Sequence, residues 1–117
     1  MKERPDDYAR VRHIIDAISE IRNYTAGYSL EQFGADSKTR FATIKQLEII
    51  GEACNSLSES LIEKYPDIPF QQIISLRHIL VHEYYGISNQ ILWNILSDFL
   101  NDYETKMKKV PDELSED

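Results

Sequence analysis

The chain is expected to be all-α, an antiparallel bundle of four to five helices. Apolar residues recur every three to four positions along most of its length. Only four glycines and four prolines interrupt 117 residues, while helix-tolerant Ile, Leu, Glu and Lys are plentiful. The breakers also sit where one apolar stripe ends and the next begins.

The first helix is expected from about Asp6 to Thr25, with Val11, Ile14, Ile15, Ile18 and Ile21 forming one stripe. Pro5 suits its first turn, and Asp6 and Asp7 complement the positive end of the helix dipole. A looser stretch from Ala26 to Asp36 carries Gly27 and Gly34, with Leu30 and Phe33 as anchors to the core. The second helix starts after Asp36 or Ser37. It carries Phe41, Ile44, Leu47, Ile50, Cys54, Leu57 and Leu61 as one stripe kept over about six turns.

Tyr65-Pro66-Asp67-Ile68-Pro69 stops that helix, because proline cannot continue a helix interior and restrains the residue before it. A third helix runs from near Pro69 to about Tyr85, with Phe70, Ile73, Ile74, Leu76, Leu80 and Val81 as its apolar surface and Gly86 as cap. Ser88 or Asn89 caps a fourth bearing Ile91, Leu92, Ile95, Phe99, Tyr103 and Met107. Residues 1–110 are thus expected to form one domain, and 111–117 an acidic, flexible tail.

The bulk numbers restrict the function. The single cysteine, Cys54, excludes an internal disulfide and reads as a small buried apolar residue. No apolar run approaches the ~20 residues that span a bilayer, and the N-terminal MKERPDDYAR is not signal-like. The expectation is a cytoplasmic protein without a membrane partner. A net charge of −7 argues against a general DNA or RNA binder. Seven acids and three lysines between Asp98 and Asp117 put −4 of that charge at the C-terminal end.

The richest segment is Arg77-His78-Ile79-Leu80-Val81-His82-Glu83-Tyr84-Tyr85-Gly86. It sets a permanent cation, an imidazole and a phenol within eight residues. Arg grips phosphate bidentately, and histidine moves protons near neutral pH. That kit suits RNA cleavage without a metal; the plain alternative is a salt-bridging Arg and a buried helix His. On an ideal helix Arg77 and His82 point ~140° apart. Either the helix unwinds before Gly86, the long Arg reaches round, or a second copy completes the site. His78 and His82 stand at i, i+4, a zinc-like spacing, yet there is no HExxH or Cys cluster and His13 is distant. Neither metal nor cofactor is expected.

Gln46-Leu47-Glu48-Ile49-Ile50-Gly51-Glu52-Ala53, Ile68-Pro69-Phe70, Arg77-x4-His82-x-Tyr84, Tyr84-Tyr85-Gly86-Ile87 and Trp93 together resemble the HEPN domain, specifically its HepT-like toxin branch. The similarity covers Tyr8 to Tyr103. It implies a metal-independent endoribonuclease of a type VII-like toxin–antitoxin pair, active as a homodimer in which two motifs meet. Arg77 and His82 are then the catalytic residues, with His78, Glu83 and Glu52 as candidate supports. The resemblance further implies that a nucleotidyltransferase-fold antitoxin adds AMP to Tyr84, next to which Tyr85 is a competing acceptor. Read without the family, Tyr84 is a packing residue with a wet hydroxyl. His78 departs from the family, which often has Asn or Asp after the motif Arg.

Gly51 costs a helix ~1 kcal/mol relative to alanine, which suggests close approach by a neighbouring helix. Glu52 beside it is placed to orient Arg77 or His82. The alternative function is a non-catalytic helical binding module that partners a nucleotidyltransferase or binds nucleotide, a reading the acidic charge favours.

Overall fold

α1 (Asp7–Thr25) begins on a buried carboxylate rather than on a merely dipole-complementing one. In the computed structural model, which describes residues 7–83 and 86–111 with Glu83 as backbone only, Asp7 is fully covered. It accepts hydrogen bonds from the Ser58 amide at 3.1 Å and the Ser58 hydroxyl at 2.6 Å. Pro5, Asp6 and residues 112–117 of the acidic tail lie outside the described residues. The expected stripe of Val11, Ile14, Ile15, Ile18 and Ile21 is buried throughout.

The stretch expected to be loose contains a short helix, α2 (Leu30–Ala35). Ser29 and Gln32 cap it reciprocally: the Gln32 amide donates to the Ser29 hydroxyl at 3.1 Å, and the Ser29 amide to the Gln32 side chain at 2.9 Å. This turn inserts Phe33 fully into the core, against Trp93, with ring centroids 5.2 Å apart.

α3 (Ser37–Asn55) is capped by Asp36, which accepts from the Thr39 amide. It does not run six turns. The chain breaks at Ser56–Ser58 and restarts as α4 (Glu59–Lys64), with Ser58 accepting from the Leu61 amide at 3.2 Å. Leu57 within the break and Leu61 beyond it are both buried, so apolar spacing alone does not reveal it. The Ser58 cap and its bonds to Asp7 do. Phe41, assigned to the α3 stripe, is instead 43% exposed at the first turn.

α5 (Phe70–Glu83) packs on α3 through one narrow face, with Ile73 and Leu80 fully buried. They lie seven residues apart, hence one above the other. Val81, expected in that surface, is exposed beside Ile79 because it lies ~100° round the helix from Leu80.

The last helix comprises α6 (Asn89–Asn94), a π-turn at Ile95–Phe99 and α7 (Leu100–Met107). Ser88 caps it, accepting from the Ile91 amide at 3.0 Å. Its buried stripe opens as Leu92, Leu96 and Leu100, and Ile91 is exposed, one residue out of phase with the expectation. Leucines four apart overshoot an α-helical face by ~40° per step; the wider π-turn absorbs that drift. There the Leu100 amide bonds to the Ile95 carbonyl, five residues back, instead of Leu96. Arg22 of α1 donates to the Leu96 carbonyl at 3.1 Å and also binds Glu104 and Asn101.

Tyr103 and Met107 continue the stripe, and Val110 is also covered. The Tyr103 hydroxyl lies 2.7 Å from the Cys54 sulfur in the core, where burial pushes the thiol up to about 12. Every regular element of the described residues is a helix, with no strand among them, which is the all-α class expected from the sequence.

Candidate active site

The motif helix α5 meets α3 at Gly51. A Cβ built there would fall 2.3 Å from Arg77 Cβ and 3.1 Å from the Ile73 carbonyl oxygen. Carbon atoms ordinarily approach no closer than ~3.5 Å, so only glycine allows this crossing. Arg77 therefore leaves its backbone inside the seam between the helices. Its guanidinium emerges to an ion pair with the Glu52 carboxylate, Nη2 to Oε1, at 2.7 Å. The side chains are 36% and 60% exposed, and a pair that open contributes at most ~1 kcal/mol. Its consequence is directional: the fork of Arg77 is aimed along the seam.

That seam opens into a groove of about 350 Å³ lined by Lys45, Glu48, Ile49, Glu52, Arg77 and Val81. Lys45, Glu48, Ile49 and Glu52 were not singled out as a set in the sequence, although 45, 48, 49 and 52 are spaced as one face of α3. Ile49 and Val81 stay exposed in its walls.

The imidazoles occupy another part of α5. His78 and His82 are both exposed, with ring centroids 4.5 Å apart and planes inclined at 56°. α5 is unbroken through Glu83, so the unwinding that would bring Arg77 round to His82 does not occur in the described part of the helix. Arg77 reaches to Glu52 instead. The structure thus joins Arg77 with Glu52 and His78 with His82, and leaves the two pairs on different sides of one helix.

Tyr84, Tyr85 and the Glu83 side chain lie outside the described residues. No group of three or more His, Cys, Asp or Glu side chains that could share an ion occurs among the described residues. None of the described helices is long and apolar enough to cross a membrane. The site offers a tethered cation able to hold a phosphate and, on the same helix, two accessible proton-transfer groups.

Comparison with known proteins bears on what such a site does. The family model described as ribonuclease HepT-like matches residues 14–110. A Methanocaldococcus jannaschii protein, provisionally named as an RNase, is 34% identical over 97% of this chain and 85% of its own length. A Thermococcus cleftensis protein named "Probable ribonuclease HepT" is 33% identical over 94% of this chain and 98% of its own. Another provisionally named RNase, from Caldanaerobacter subterraneus, is 30% identical over 86% and 89%. No solved structure gives a significant match.

Proposed function

The chain belongs to the ribonuclease HepT-like family, and from that premise we propose that it is a metal-independent endoribonuclease toxin whose catalytic residues are Arg77 and His82. The observation that carries this reading is the placement of Arg77 by Gly51 and Glu52 on the helix that also exposes His82. Ribonuclease activity itself is the reading its relatives' names support.

Cleavage needs a base for the 2′-hydroxyl proton, an acid for the departing 5′-oxygen and positive charge on the phosphorane-like transition state. Histidine can fill either proton-transfer role, worth typically ~10²–10⁴-fold. Arg77 supplies the charge, and His78, 4.5 Å from His82, is the adjacent imidazole. Because Arg77 and His82 diverge on one helix, a homodimer whose motifs face each other would bring the arginine of one copy to the histidine of the other. The exposed Ile79 and Val81 beside them give such a contact apolar surface to bury.

Control belongs to the same site. A nucleotidyltransferase-fold antitoxin would transfer AMP from ATP to Tyr84: the phenol oxygen attacks the α-phosphorus and pyrophosphate leaves. The adduct would add a negative phosphodiester seven residues along the chain from Arg77, which would then pair with it instead of with RNA. Mass spectrometry of the Tyr84 peptide after incubation with antitoxin and ATP tests this; an unmodified peptide refutes it.

The alternative, a binding module without chemistry, draws on the net charge of −7 and on Glu48 and Glu52 in the groove. The deciding experiment is cleavage of total cellular RNA in EDTA by wild type, His82→Ala and Arg77→Ala. Cleavage by wild type alone supports the toxin reading. Cleavage by neither wild type nor variants favours the module.

A further inference from the structure

We propose that His78 and His82 form a chelating site for a late first-row divalent metal ion, Ni²⁺ or Cu²⁺ ahead of Zn²⁺, and that an ion held there shuts the ribonuclease off. The second half rests on the reading of His82 as a proton-transfer residue; the first half does not. The ion is an inhibitor of the site and not a cofactor of the reaction.

Three observations carry the proposal. The first is ring geometry, because i, i+4 spacing alone does not distinguish a chelate from two surface histidines. The ring centroids lie 4.5 Å apart and, with planes inclined at 56°, the rings are not stacked face to face. An ion ~2.0–2.1 Å from a nitrogen of each ring lies roughly 3.2 Å from each centroid. Two rings at right angles about that ion have centroids about 4.5 Å apart, and two at the tetrahedral angle about 5.2 Å apart. The observed spacing is that of neighbouring corners of a square or tetragonal ion, the geometry of Cu²⁺ and Ni²⁺. Tetrahedral Zn²⁺ requires the rings to part by less than ~1 Å.

The second is preorganisation. α5 is helical through Glu83, which keeps the two side chains one turn apart on one face. Both are exposed, so an ion can enter without moving the backbone, and only side-chain rotations are lost on binding. The described positions one turn from either ring hold Ile74, Ser75, Ile79 and Val81. No carboxylate along that part of α5 therefore competes for the imidazoles.

The third is donor chemistry. Neutral imidazole suits Ni²⁺, Cu²⁺ and Zn²⁺, whereas Mg²⁺ and Ca²⁺ take oxygen ligands. Among the described residues no third His, Cys, Asp or Glu joins the pair in a group that could hold an ion. Water would fill the remaining positions, so the ion is exchangeable, unlike the closed shell of a structural site. While it is bound, the lone pair of one His82 nitrogen lies in the metal bond and cannot take the 2′-hydroxyl proton. Removing the ion restores it.

Calorimetric titration of tag-free, full-length protein with NiCl₂, ZnCl₂ and MgCl₂ tests the binding half. The expected result is Ni²⁺ binding, weaker Zn²⁺ binding and no Mg²⁺ binding. Ni²⁺ affinity should fall tenfold or more in His78→Gln and in His82→Gln, and stay unchanged in His13→Gln, where the histidine is an exposed residue of α1. Glutamine favours a helix at least as well as histidine, so lost binding is not lost folding. Wild type that binds no Ni²⁺, or binding equal in all three variants, overturns the proposal; Zn²⁺ bound more tightly than Ni²⁺ overturns the assigned geometry. For the second half, RNA cleavage should be half-inhibited at the calorimetric dissociation constant of Ni²⁺ and recover with EDTA. Ni²⁺-loaded protein cleaving at the metal-free rate overturns the inhibition. Ion binding by an inactive protein refutes only the ribonuclease reading, and a cleaving protein that binds no ion at the pair refutes only this one.

Discussion

Replacing Gly51 by alanine sets two effects of opposite sign against each other. Alanine favours the helix over glycine by ~1 kcal/mol, so an isolated α3 would gain. In the fold, however, the new methyl would fall 2.3 Å from Arg77 Cβ and 2.9 Å from its Cγ. Reaching a carbon contact of ~3.5 Å requires α3 and α5 to part locally by over ~1 Å. Neither obstacle is a flexible side-chain end: one is a Cβ fixed to its backbone and another is the Ile73 carbonyl. Overpacking of this kind costs ~1–3 kcal/mol, leaving a net destabilisation of ~1 kcal/mol and a fall in unfolding midpoint of roughly 5 °C. Activity should suffer more, because a ~1 Å displacement of a positioned group can cost ~10²-fold. Thermal unfolding and RNA cleavage measured side by side check both halves. A Gly51→Ala protein as stable as wild type and cleaving at the same rate would refute the account of the crossing and of Arg77's placement.

Glu52→Gln should lower cleavage ~10-fold or more, through kcat rather than KM, while changing stability by less than ~1 kcal/mol, since its partner is a half-exposed arginine; equal loss of stability would point to a structural role. Tyr103→Phe removes the hydroxyl that lies 2.7 Å from the Cys54 sulfur and should cost ~1 kcal/mol in denaturant titration. Cys54 itself, buried and pushed up to about 12, should resist thiol reagents until the protein unfolds. Asp36 is held down to about 2 by hydrogen bonds from the Tyr28 hydroxyl first, then from the Thr39 hydroxyl and amide. A depressed folded-state pKa stabilises above the ordinary value of 3.8 and stops doing so as pH falls through about 2. The stability advantage of wild type over Asp36→Asn should therefore be full at neutral pH and shrink between about 4 and about 2; an advantage that grows on acidification would contradict the hydrogen-bond assignment.

Much of the fold was legible because its signals are local. The α1 stripe, the Ser88 cap and the proline stop before α5 each depend on residues within a turn or two of one another. The Ser29–Gln32 capping box is equally local, but Gln32 lies between two glycines that mask its signal. The α3–α4 break and the phase of the last helix were different. An uninterrupted apolar spacing hides both, and what fixes them is distant: Asp7 bonding Ser58 across 51 residues, and Arg22 bonding the Leu96 carbonyl across 74.

By itself the sequence determined the chemistry available on α5: a permanent cation and two imidazoles, at a spacing that forbids Arg77 and His82 from sharing a face. It also marked Gly51 as a point of close approach, because a glycine costs an α-helix stability that something else must offset. Only the tertiary structure decided what fills that gap. The missing Cβ admits Arg77 Cβ, Glu52 aims the guanidinium into a groove, and Arg40 of α3 donates to the Ile87 carbonyl of a loop 47 residues away. Helical periodicity specifies which residues share a face of one helix. It does not specify which helix that face will meet, and in this protein the placement of Arg77 and Arg40 is set by that meeting.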